Sequence, residues 1–181
     1  MKLPAVLKIV SFVSLALVGS CGPLGGNSGG NHRIVTVPGL SELGSRLFAA
    51  SNAYRVRSGK GSLSRKGDLD RLAQQHSESM ACRGKLDHAG ASSRTDEIAV
   101  RHGVREKAEN VMRWHLKAGR SPQSMLQQWI DSPAHRRNLL GPYAISGLGI
   151  AQDEHGNIWV TQIYAPVPGA GQHGPAPGHY W

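Results

Sequence analysis

Trp129-Ile130-Asp131-Ser132-Pro133-Ala134-His135-Arg136-Arg137-Asn138-Leu139-Leu140 is the stretch on which the reading of this chain turns. Just before it, Ser121-Pro122 sets a hydroxyl cap and a first-turn proline, and Met125, Leu126, Trp129 and Ile130 recur at the spacing of one buried helix face. Ser132-Pro133 repeats the cap-and-proline device. It predicts a second, short helical turn that carries His135 and stops near Gly141-Pro142. An imidazole is thereby fixed at a defined place beside an apolar helix.

Downstream the apolar period changes. Ile145 to Ala151 and Ile158 to Ala165 read as strands, and Gly156-Asn157 between them is a natural turn, so a hairpin closes the domain. Upstream, Leu43, Leu47, Ala50 and Tyr54 make one helical stripe after Pro38-Gly39, with Ser41 as the N-cap candidate. Leu69, Leu72, Ala73, His76, Met80 and Ala81 make a second. Asp96 to His102 predicts a short helix ending at Gly103, and Ala108 to Trp114 a strand. Helices first, a middle strand and a hairpin last predict an α+β fold with helices packed on an antiparallel sheet.

Two further stretches place chemistry-bearing residues among small or apolar ones: Leu86-Asp87-His88 and Ala108-Glu109-Asn110. Taken in order with the stretch around His135, they resemble the pocket signature of the CAP superfamily of cysteine-rich secretory, antigen 5 and pathogenesis-related proteins. Asn52-Ala53-Tyr54-Arg55 with Gly59 and Leu63 is similar to that family's first-helix motif. Ala108-Glu109-Asn110 is similar to its Gly-Glu-Asn, with alanine for glycine. Gly147-Leu148-Gly149 and Trp159-Val160-Thr161-Gln162 resemble its closing hairpin. The resemblance covers residues 40–165 and implies an α-β-α sandwich. It also implies a cleft in which His88 and His135 match the family's two histidines and Glu109 one of its two acids. The second acid is missing: Ser132 stands at its position, with Asp131 beside it.

Two neutral imidazoles can take zinc or another divalent metal, here at low occupancy because they are fewer than the three protein ligands usual for a catalytic zinc. A nearby carboxylate can orient an imidazole, bind the metal or accept a proton, so Glu109 is the candidate base. Each residue also has a plainer reading. His88 could simply cap the preceding helix through a carbonyl, His135 could simply occupy the first turn after the Ser132 cap, Glu109 could pair with Arg113 or Arg136, and His76, on the apolar stripe, reads as a hydrogen-bonded core histidine. Trp114 and Trp129 read as core. The chain has no His-Glu-x-x-His or Walker loop.

The ends bound where the protein works. Lys2 and Lys8 precede an apolar run from Ile9 to Val18, of signal-peptide length and too short to span a bilayer. Gly19-Ser20 before Cys21 resembles a bacterial lipobox, which implies diacylglycerol on the Cys21 thiol, export, and sorting to the outer membrane in a two-membrane cell. If Cys21 is not acylated, a disulfide to Cys82 is open to it, and Cys82 otherwise reads as a small buried hydrophobe. Loss of residues 1–20 takes 21 Lys plus Arg to 19 against 12 Asp plus Glu, leaving a balance of +7. These charges are scattered without interleaved aromatics, and nucleic acid is not an expected partner. The expected organisation is a signal segment 1–20, a tether 21–33, a domain 34–165 and a Gly/Pro/His-rich disordered tail 166–181.

Three functions fit this pattern. One is an envelope lipoprotein that binds an unknown ligand or protein partner through the cleft. A second is a metal-assisted hydrolase acting on an envelope component. A third is a membrane-tethered interaction subunit. The absent second acid favours binding without turnover.

Overall fold

Gly147 and Gly149 set the distance between the sheet and the helix above it. A Cβ at Gly147 would fall on the backbone of Leu69 and Asp70, and one at Gly149 on that of Ala73 and Gln74. In the computed structural model, which describes residues 18–19 and 32–167, this strand is β5 (Ile145–Gln152), and α2 (Gly67–Arg83) lies directly on it. The strand pairs antiparallel with β6 (Asn157–Ala165), which pairs antiparallel with β4 (Ala108–His115). A two-residue strand β3 (Ser64–Arg65) joins parallel to β5, so the sheet runs β3-β5-β6-β4 and is not wholly antiparallel as expected.

Alternation along the strands feeds two cores. On one face Met112, Leu148, Ile150, Ile158, Val160 and Tyr164 pack against α1 (Leu40–Arg57), α4 (Pro122–Asp131) and α5 (Pro133–Leu139). On the other, Ile145, Ile163 and Ala165 meet Leu69, Leu72 and Ala73 of α2 and Ile98 of α3 (Ala91–His102). Trp159 and Val111 meet Met80 and Ala81 on that same side. The expected α-β-α sandwich is present. Trp129 is core, while Trp114 is half-buried and its indole donates to the Gly119 carbonyl.

Helix boundaries follow local chemistry. Ser121 caps α4 by accepting from the Ser124 amide. Ser132 precedes Pro133 but makes no side-chain cap bond, so the repeated device works through the proline alone. The first helix starts at Leu40 after Gly39 at φ 77°, two residues ahead of the position that Ser41 as N-cap would give. The third starts at Ala91, five residues before the expected Asp96, and closes as expected at Gly103.

Side chains seal both edges of the sheet. On β5, Asp70 accepts from the Leu148 amide, and Gln74 both accepts from the Ile150 amide and donates to its carbonyl. On β4, Asn138 donates to the Glu109 carbonyl and Trp129 to that of Val111. The motif around Asn52 and Arg55 fixes the connections. Asn52 exchanges two bonds with the Leu63 backbone. The buried Arg55 guanidinium donates to the carbonyls of Gly61, Leu139, Gly141 and Tyr143, which holds the end of α5.

At the N-terminal end, β1 (Val18–Gly19) pairs antiparallel with β2 (Ile34–Val35), inside the segment expected to be a signal. Cys82 is half-buried at the end of α2 and is disulfide-bonded rather than a free thiol, unlike the buried hydrophobe expected. No helix among the described residues is long and apolar enough to cross a membrane. Cys21 and most of the 166–181 tail lie outside the described residues.

Candidate functional site

Strand β4 forms one edge of the sheet, and successive residues on it point to opposite faces. Glu109 faces the layer of α2 and α3, and Asn110 faces that of α5. Asn110 is fully buried: its amide donates to the carbonyl of His135 and the hydroxyl of Tyr164, and it accepts from Asn138. The strand therefore pins α5, and with it His135, at the same edge where Glu109 emerges.

Glu109 is the centre of the cluster. Its side chain is 3% exposed. Oε1 lies 2.8 Å from Nδ1 of His88. Arg94 approaches as a fork, donating Nη2–H to Oε1 and Nε–H to Oε2 at 2.8 Å each, while its Nη1 donates to the Ala89 carbonyl. Neither Arg113 nor Arg136 is the partner; Arg113 instead stacks over Trp159. The ammonium of Lys107 stands 4.0 Å from Oε2. Burial alone would raise the Glu109 pKa, but the bonds from His88 and Arg94 and the charges of Arg94 and Lys107 outweigh it and lower the pKa to about 2.

The histidines have distinct positions. His76, 3% exposed on α2, is the core histidine expected: its Nε2 bonds the Asp87 carbonyl at 2.8 Å and lies 3.8 Å from Glu109 Oε1. It thereby holds the turn that presents His88. Arg83 grips the Asp87 side chain from below with two bonds, at 2.7 and 2.9 Å. With Nδ1 of His88 facing a carboxylate, the neutral ring carries its proton on Nδ1, leaving the lone pair on Nε2. His135 is half-buried, and burial first, then its electrostatic interaction with His88, lowers its pKa. Its Nδ1 is buried with no hydrogen-bond partner among the described residues.

Of the residues expected to form the site, His88 and Glu109 are in direct contact, and the His135 backbone is held to the same strand by Asn110. Asp131, the neighbour of the missing second acid, is exposed and bonded by Gln127. Sequence reasoning missed Arg94 and Lys107. Among the described residues no three His, Cys, Asp or Glu side chains form a group able to hold a metal. A cavity of about 390 Å³ lies at the opposite sheet edge, between Ile34–Val37, α1, α2 and β5, and includes none of these side chains.

Residues 48–164 match the family model described as the cysteine-rich secretory protein family. A curated relative from Bacillus subtilis (strain 168), the uncharacterized protein YkwD, is 25% identical over 127 residues, covering 68% of this chain and 48% of its own length; this chain thus spans about half of that relative. An extracellular protein containing a SCP domain from Bacillus anthracis superposes with a TM-score of 0.59 at 20% identity, over 72% of this chain and 44% of the other. An outer surface protein from Borrelia burgdorferi gives 0.60 at 12% identity, over 77% and 99%. The fold, the order of motifs and the matched span place this chain in the cysteine-rich secretory protein (CAP) family.

Proposed function

We propose that this is an exported protein whose cleft, lined by His88, Glu109 and His135, retains a ligand or protein partner without turning it over. The observation that carries this is the Arg94 fork on Glu109. A carboxylate occupied on both oxygens and titrating at about 2 is a poor proton acceptor near neutral pH. Its role is to orient His88, not to act as a base. His88 and His135 offer two imidazoles toward a metal, short of the three protein ligands of a catalytic zinc, so the donor set does not fit a resident one. A divalent ion held there binds weakly, and its chemistry would be Lewis-acid polarisation of a bound oxygen.

Export is supported by the extracellular and outer-surface descriptions of the structural neighbours. For anchoring, Gly19-Ser20-Cys21 supports a lipid on Cys21, whereas the bonded state of Cys82 supports the alternative fate of that thiol. One sulfur cannot serve both.

Native mass spectrometry of the full chain after exposure to a cell-envelope extract tests the binding function. Wild type should retain a molecule unchanged in mass, and His88→Ala/His135→Ala should lose it while keeping its unfolding midpoint. Progressive chemical conversion of an extract component, dependent on Glu109, would instead establish the hydrolase.

A further inference from the structure

The cavity of about 390 Å³ at the far sheet edge fills a gap in that edge. At the start of β5, β3 pairs with Ile145 and Ser146, and past its other end Ile34 bridges to Asp153. Among the described residues no strand pairs with this side of β5 between those points, and the cavity lies there, against Leu148, Ile150 and Ala151. The strand's amides at Leu148 and Ile150 are already taken by Asp70 and Gln74, so the gap does not suit an added strand. Its volume is that of a small-molecule site, roughly 300–1,000 Å³. Two charged residues line it, Arg65 and Glu78. Arg65 is balanced: its Nε donates to both Asp70 oxygens at 2.9 and 3.0 Å, and its guanidinium lies 5.1 Å over the Phe48 ring. Glu78 is half-buried, and its one bond among the described residues comes from the neutral Gln74 amide at 2.9 Å. Gln74 is itself fixed on the Ile150 backbone, which holds the Glu78 carboxylate at the cavity. The chain has 21 Lys plus Arg against 12 Asp plus Glu, so an acid left without a cation inside the surface stands out. Asp68, Asp70, Asp87, Glu97, Glu109 and Asp153 each have an Arg, Lys or His partner. The acids that share Glu78's lack of an ion pair, Glu42, Glu106 and Asp131, are exposed.

We infer that this cavity binds an organic cation, an ammonium group on an apolar body, with Glu78 as its counter-ion and Leu40, Leu148 and Ile150 against the body. The site is separate from the His88–Glu109 cleft and goes beyond the function proposed for it. With Arg65 neutralised by Asp70, the charge left at the cavity is that of Glu78. An organic anion would meet that carboxylate as a like charge and find the guanidinium occupied. A metal ion would find a single carboxylate, and no group of three metal-binding side chains stands among the described residues. A partly exposed carboxylate alone holds a cation weakly. Contact with the apolar wall therefore supplies most of the affinity, and the charge selects the class. One wall is the segment from Ile34 to Val37, so a bound molecule touches both that segment and the strand beneath it.

Calorimetric titration of the full chain with n-alkylammonium chlorides tests this, with the amide resonances of Thr36 and of Ile150 to Gln152 locating the ligand. Hexylammonium should bind saturably and shift those amides. Affinity should rise about fourfold per methylene from butylammonium to hexylammonium. Hexanol and hexanoate should each bind more weakly than hexylammonium. Glu78→Gln removes the charge but keeps an acceptor for Gln74. It should weaken hexylammonium by about fivefold, the size of one partly exposed ion pair, and leave hexanol unchanged, a split that a merely structural role for Glu78 would not produce. Ser41→Trp, on the exposed first turn of α1 and lining the cavity, should block both ligands. His88→Ala/His135→Ala should still bind hexylammonium, which keeps the fate of this site distinct from that of the cleft. The inference is overturned by any of four results: no saturable binding, hexanoate binding as tightly as hexylammonium, equal losses of hexanol and hexylammonium in Glu78→Gln, or shifts confined to the surroundings of His88.

Discussion

Arg94 and Glu109, 15 residues apart, meet through two parallel N–H···O bonds of 2.8 Å in a site where both side chains are less than a tenth exposed. One comes from a helix and the other from the sheet edge, so the pair fastens α3 to β4. Removing one partner strands a buried charge. Arg94→Met should lower unfolding stability by about 3–5 kcal/mol in urea titrations. Arg94→Met/Glu109→Gln should recover part of that loss, since no unpaired carboxylate remains. A single-mutant cost below about 1 kcal/mol would show the pair to be solvated.

Acid sensitivity follows from the same carboxylate. Its pKa falls from 4.5 in the unfolded chain to about 2 in the fold. A depressed acid contributes stability that is fully present above the unfolded value and is lost as pH drops through the folded one. Between pH 5 and pH 2, wild type should therefore lose on the order of 3 kcal/mol through this residue. Glu109→Gln should show a flatter stability profile over that window, and parallel profiles would mean Glu109 is not the group responsible.

At Gly149 the constraint is steric. An added methyl meets the backbone of α2, which cannot rotate aside as a side chain would. Gly149→Ala should cost about 1–3 kcal/mol or more, whereas Gly61→Ala, with open space around its Cβ position, should change the midpoint little.

Arg55→Met should act at a distance. It orphans the carbonyls of Leu139, Gly141 and Tyr143 near the end of α5. Since each buried unsatisfied acceptor costs about 1–3 kcal/mol, a large loss of stability is expected. Amide resonances of residues 135–143 should shift more than those of α2.

Intact-mass analysis of protein recovered from envelope fractions settles the fate of Cys21. A diacylglyceryl adduct with the signal removed, lost in Cys21→Ser along with membrane fractionation, would establish the anchor. A mass two hydrogens short of the reduced chain, restored by reductant, would establish a disulfide to Cys82 instead.

Features written locally in the chain were legible. Ser121-Pro122 marked the start of α4, the period-2 runs around Gly156-Asn157 marked the hairpin, and the apolar stripe placed His76 in the core. The ordered motifs were enough to bring His88 and Glu109 to one place. Arg94 was not legible because its segment, Ala91-Ser92-Ser93-Arg94-Thr95, has no apolar period, and a helix expected from Asp96 leaves it in a loop. The usable signal was Gly90, the αL residue that starts the helix, paired with Gly103 at its end. The parallel β3 likewise depends on pairing with β5 far along the chain, which periodicity does not encode. Ser41 misled as a cap because the Pro38-Gly39 turn had already begun the helix.

The side chains that close the sheet's edges also govern how copies of the protein meet. An outer strand with bare amides and carbonyls is a template for a strand of another molecule, the first step toward fibres. Here Asp70, Gln74, Trp129 and Asn138 already occupy amides or carbonyls along β5 and β4. A neighbouring chain gains access at β5 only by lifting α2, which exposes Leu69, Leu72 and Met80 as well. Ordered self-assembly is thus gated by partial unfolding, and substitutions at Asp70 or Gln74 should be felt first as a tendency to aggregate at concentrations where the wild-type chain stays dispersed.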